Sequence, residues 1–182
     1  MKKLLVALLV MCSLGVFLGT AQAATTADLQ ITVTPNGTKS LTLSTGTLAM
    51  GPLSLASVDN ISSSVTVTNN GTIPEVLGLR IKTADGVWSS AGAAGPDTYN
   101  LRALFNTPTP VAGDFAANDD VLTQGSPEVA TGVGGVYSGD QDGSVFNPSA
   151  TRGLWFKLDM PTTSTVATQR SFTCLLYTSR CV

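Results

Sequence analysis

A period of two limits this chain's fold more than any other feature. Leu29-Gln30-Ile31-Thr32-Val33-Thr34 alternates apolar and polar residues without a break, which on an extended chain puts every apolar side chain on one face. The alternation returns at Leu41-Thr42-Leu43, at Val65-Thr66-Val67-Thr68, and at Leu77, Leu79 and Ile81 with Arg80 and Lys82 opposite. Tyr99, Leu101, Ala103 and Phe105 form a further inward set, as do Leu154, Phe156 and Leu158 with Trp155, Lys157 and Asp159 opposite. Gly, Pro and Asn separate these runs. Pro35-Asn36-Gly37-Thr38 predicts a hairpin between Leu29–Thr34 and Leu41–Leu43, because Asn and Gly tolerate positive φ. With no helical period after residue 23, short strands between such turns predict an all-β fold, an antiparallel β-sandwich of Ig-like or jelly-roll-like type.

The pattern lapses between Asn106 and Arg152 into a stretch rich in Gly, Pro, Asp and Ala. A structureless loop of about 45 residues is uncommon in a compact domain, so short strands are expected near Val129 or Val136. The rest supplies surface loops, the first place to seek a recognition surface on a rigid scaffold. A tolerated surface excursion explains the stretch equally well.

The N-terminus has the layout of a bacterial-type secretory signal peptide: basic Lys2 and Lys3, an apolar run from Leu4 to Leu18, and a small-x-small cleavage site at Ala21 and Ala23. The apolar run is shorter than the roughly 20 residues that span a bilayer, and no second one follows. Residues 1–23 are therefore read as the signal peptide and 24–173 as one sandwich domain. The product is expected to be secreted, extracellular, on the cell surface or in the periplasm, with no membrane span in the mature chain. Beyond residue 23 the net charge is 8 − 12 = −4, without the basic footprint that nucleic acid binding needs.

Gln169-Arg170-Ser171-Phe172-Thr173 begins a last strand, and Cys174-Leu175-Leu176-Tyr177-Thr178-Ser179-Arg180-Cys181-Val182 then breaks the character of the chain. This tail resembles the translated sequencing-adapter tails that end some open reading frames from environmental assemblies. That resemblance implies that 174–182 is not native and that the last strand is truncated. Taken at face value, Cys174 and Cys181 are the two cysteines of the mature chain, and export permits a disulfide between them.

Chemistry is marked mainly by what is missing. There is no histidine, which removes the usual general base, the triad partner and the commonest zinc ligand. Lys39, Lys82 and Lys157 read as outward-facing strand or turn residues rather than partners of a Ser or Thr nucleophile, so no enzyme, metal or cofactor is expected. The loop Gly139-Asp140-Gln141-Asp142-Gly143-Ser144 has acids at alternate positions but lacks the glycine and glutamate of a calcium loop, with Val145 and Thr151 in their places. Asp114, Asp119 and Asp120 offer another oxygen cluster; solvated turn acids are the better reading of both. Trp88 and Trp155 present rings that stack on sugars, and Trp155 is the stronger ligand-binding candidate because it points away from the Leu154 and Phe156 face. The opposing reading packs it under a loop or against a neighbouring subunit.

Gly46-Thr47-Leu48, Val58-Asp59-Asn60, the strand Val65-Thr66-Val67, the turn Asn69-Asn70-Gly71-Thr72 and the apolar strand from Val76 together make residues 46–83 resemble the corresponding part of camelysin and TasA-like secreted bacterial proteins. The resemblance implies a jelly-roll-like sandwich, in some members assembling into extracellular fibres. Ala24 to Thr34, carrying Asp28 as its sole charge, is the kind of segment that completes a neighbour's sheet, or else pairs within its own domain. The expected function is a non-enzymatic structural protein of the envelope or matrix, such as a filament or surface-layer subunit, with self-association or a cell-envelope partner. A carbohydrate- or ligand-binding module is the alternative.

Overall fold

The computed structural model describes residue 30, residues 32–33, 36–122 and 128–180, with Arg180 described in its backbone alone. Residues 1–23, read above as a signal peptide with Ala21 and Ala23 at its cleavage site, most of the Leu29–Thr34 run and Cys181 lie outside the described residues. Every described strand belongs to the compact unit Asn36–Val182.

Among the described residues, nine strands form two sheets. β1 (Leu41–Leu43), β2 (Asn60–Ile61), β3 (Val65–Asn69), β5 (Ser89–Ser90), β6 (Thr98–Phe105) and β8 (Thr151–Asp159) make the larger, in the order β1-β3-β8-β6-β5, with β2 also on β8. β7 (Glu128–Val129), β4 (Glu75–Thr83) and β9 (Thr173–Arg180) make the smaller. All pairings are antiparallel except that of β5 with β6. Two single 3-10 turns, Ala112–Asp114 and Ala117–Asp119, are the only helical elements among the described residues. The fold is all-β and sandwich-like, as the alternation predicts.

The core lies where the inner faces meet. Val65 and Val67 of β3, Tyr99, Leu101, Ala103 and Phe105 of β6, and Leu154, Phe156 and Leu158 of β8 come from one sheet, and Leu77, Leu79 and Ile81 of β4 from the other. Each of these sets was legible as an inward face. β1 forms its ladder with β3, Leu41 opposite Asn69. The long loop contains β7, at Val129 as expected, but no strand at Val136, which belongs to a turn that buries Tyr137. The last strand begins at Thr173, not Gln169, and runs through the tail, Cys174 and Leu176 packing on the core. Cys174 is a free thiol, and burial pushes its pKa up to about 12.

Candidate functional site

Leu104 of β6 and Asn106, the residue just past its end, line a cleft of about 380 Å³ together with the turns at Asp114 and Asp119 and the 134–140 loop. It falls inside the stretch singled out from the sequence. Its carboxylates are tied to backbone. Asp114 Oδ2 accepts from Val111 N at 2.8 Å, and Asp140 Oδ1 accepts from Thr107 N at 2.7 Å. Asp119, 1% exposed, accepts from Ala116 N and from Tyr137 N, both at 2.7 Å. Burial raises its pKa, and the two amides oppose that rise. Each acid satisfies amides that a loop without sheet partners leaves over.

Beside the cleft, Asp120 Oδ1 accepts from Asn100 Nδ2 at 2.7 Å and Arg102 Nε at 2.9 Å. Tyr137 donates its hydroxyl to Asp120 O at 2.9 Å, and burial raises both the phenol and the nearby Glu128 carboxyl. Arg102, Asn106 and Tyr137 carry no sequence signal beyond their alternation or loop position; the chain's return past β6 brings them together. Ser138 donates to Thr131 O at 2.5 Å and accepts from Gly143 N at 3.0 Å, so its hydroxyl holds a loop rather than facing a base. Asp142 Oδ1 caps Ser144 N at 2.7 Å, as a turn acid does. Among the described residues, no group of three or more His, Cys, Asp or Glu is placed to hold a metal ion.

Trp155 does point away from the Leu154 and Phe156 face, but it does not present its ring. It is 8% exposed, packs with Leu104, Phe115 and Ile61, and donates Nε1 to Asn106 O at 3.0 Å. The loop after β6 covers it, which removes the stacking surface that sugar binding requires. Trp88, half-buried, donates Nε1 to Ser164 Oγ at 2.8 Å. Lys157 also departs from expectation: it lies on the outward face yet is buried, its Nζ 2.9 Å from Asp59 Oδ1.

No protein-family model, curated protein or solved structure matches the chain.

Proposed function

We propose that the protein is a secreted, non-enzymatic structural component of the cell envelope or extracellular matrix, a filament or surface-layer subunit whose copies associate through sheet edges. The observation that supports this is the outer edge of β9. Its eight residues, seven of them in the 174–182 tail, pair along one side with β4 through backbone, so any strand in their place presents the same edge, and the other side carries no ladder among the described residues. The other sheet margins are short: β1 has three residues, β5 and β7 two each. Long uncovered edges join other chains, and proteins that stay monomeric blunt them. The export signal and the resemblance of residues 46–83 to fibre-forming secreted proteins point the same way. Electron microscopy of the purified mature protein and of its source cells tests the reading: filaments or sheets are expected, and dispersed monomers in both would overturn it.

The cleft favours a second reading, an extracellular ligand-binding module in which loop residues make the contacts instead of Trp155. A glycan panel separates the two. Binding that is lost on Asp114→Ala, by a protein that stays monomeric, selects the module.

A further inference from the structure

Asparagine followed by glycine occurs twice, at Asn36-Gly37 and Asn70-Gly71, and the two pairs look alike in sequence because a threonine follows each. Such a pair is chemically reactive. The amide nitrogen of the glycine attacks the asparagine Cγ, and a residue without a Cβ obstructs that approach least. Ammonia leaves as a cyclic imide closes, and water then opens the imide. Opening at Cγ gives aspartate; opening at the backbone carbonyl gives isoaspartate, which carries the main chain through an extra methylene. The sum is amide plus water to carboxylate plus ammonium.

The fold treats the two pairs differently. Asn70-Gly71 lies in the corner where the chain passes from the larger sheet to the smaller, between Asn69 and Glu75, both 0% exposed. Gly71 N donates to Asn69 Oδ1 at 2.7 Å, and Asn70 Nδ2 donates to Thr42 Oγ1 at 2.8 Å, so nucleophile and electrophile are both tied. Gly71 is buried, and a Cβ on it would lie 2.5 Å from Thr38 O and 2.9 Å from Glu75 Oε1. An added methylene has no room there, and the surrounding oxygens oppose loss of the amide proton. The two Asp-Gly pairs, which react through the same imide, are held as well: Asp85 by Arg170, and Asp142 by Ser144 while Gly143 N donates to Ser138 Oγ at 3.0 Å.

Asn36 is exposed, and neither its side chain nor Gly37 N takes part in a hydrogen bond among the described residues. The bonds begin at Thr38, whose N donates to Thr72 Oγ1 and whose O accepts from Thr72 N, both at 2.9 Å. Ring closure at Asn36 therefore breaks no described hydrogen bond. Position 37 is nonetheless held to glycine, since a Cβ there would collide with Ile73 Cγ2. The packing that demands glycine keeps Asn36 reactive.

We propose that Asn36 is a site of spontaneous deamidation, a modification that needs no enzyme and places a new negative charge where the Asn36–Val182 unit begins. Each copy then changes with age at the covalent link to residues 24–35, while Asn70 in the corner keeps its amide. The site stands whether or not the chain is a structural subunit.

Ageing the full mature chain in mildly alkaline buffer, followed by mass spectrometry of its tryptic peptides, tests the site. Cleavage after Lys39 and Arg80 puts Asn36 and Asn70 on different peptides. In the folded protein Asn36 should lose its amide at least about tenfold faster than Asn70, a barrier difference of about 1.4 kcal/mol. An isoaspartate methyltransferase should label the Asn36 peptide and not the Asn70 peptide. In guanidinium chloride the two rates should converge, which assigns the difference to the fold. Asn36→Gln should hold that peptide's mass constant and leave the melting temperature at the parent's value. Equal rates in the folded protein overturn the proposal, as does an Asn36 that keeps its amide while the unfolded chain loses it. Faster loss at Asn70 also overturns it, and would mean that the corner opens.

Discussion

β8 and β9 are nearly equal in length, nine residues and eight, and sit in opposite situations. β8 has β3 and β2 along one edge and β6 along the other, and five consecutive residues from Leu154 to Leu158 are buried. Among the described residues β9 has β4 alone, and none of its described side chains is fully buried. The difference lies in what covers each face. Leu154, Phe156 and Leu158 fill the core while Trp155 and Lys157 are roofed by Phe115 and Asp59. β9 offers Cys174 and Leu176 to the core, and on its other face Tyr177 lies across Gly78, where an added Cβ would collide with the ring. A ladder can hold a strand that packing barely engages.

The largest expected effect comes from cutting into β8. Phe156→Ala should cost about 3–5 kcal/mol in urea unfolding, against under about 2 kcal/mol for Leu176→Ala in half-buried β9. Equal costs would break the comparison. Trp155→Ala belongs with the first group, also at about 3–5 kcal/mol, and should leave binding to a glycan panel unchanged.

Next in size is the buried cation of β8. Asp59 adopts φ 59°, a conformation asparagine tolerates, so Asp59→Asn removes charge without a backbone penalty. Among the described residues Lys157 then keeps Asp159, at 3.9 Å, as its one carboxylate. Because Asp59 is half-exposed, the expected loss is about 1 kcal/mol. A loss as large as that of Phe156→Ala would mean that the ion pair, not packing, fastens β8.

How far this contrast was readable depends on what alternation encodes. It shows which residues share a face, and it placed β3, β4, β6 and β8 correctly. It cannot show what covers the second face, since that depends on where the chain returns. Trp155 and Lys157 therefore looked outward and free, although the loop after β6 and Asp59 reach them from far along the chain. The cleft's acids were visible as acids, but their hydrogen bonds to Val111, Ala116 and Thr107 arise from loop geometry that has no period. The tail read as a break because its composition changes at Cys174, yet backbone pairing with β4 depends little on side-chain identity. A ladder there says nothing about the origin of the residues. Glu75 was missed altogether: a charge at the start of an apolar strand looks like a solvated end until the corner folds over it.

β9 is fastened at its approach by charge. Arg170 pairs with both oxygens of Asp85, which also accepts from Val87 N and Trp88 N. The Arg170 hydrogen bond, ahead of opposing burial, holds the Asp85 pKa down at about 2. A depressed carboxyl pKa contributes stability that is complete above the unfolded value of 3.8 and is lost as pH falls through the folded value. Unfolding measured from pH 5 to pH 2 should therefore show a decline that Asp85→Asn flattens. Asp119, raised by burial, works in the opposite sense, gaining stability toward acid, so the difference between parent and variant isolates Asp85. An identical acid slope in both would mean that the pair does not fasten this end.

The smallest effect on folding should be the largest on assembly. Leu175 lies on the face of β9 away from Cys174 and Leu176, opposite Arg80 in the ladder. Leu175→Lys removes no core contact, so its stability should stay within about 0.5 kcal/mol of the parent. A lysine on an edge strand is also a device by which proteins block strand addition. If copies join along β9, sedimentation or light scattering should show the parent associating and the lysine variant monomeric at equal melting temperature. Association that survives the lysine moves the contact to another surface, and β9 then differs from β8 only in burial.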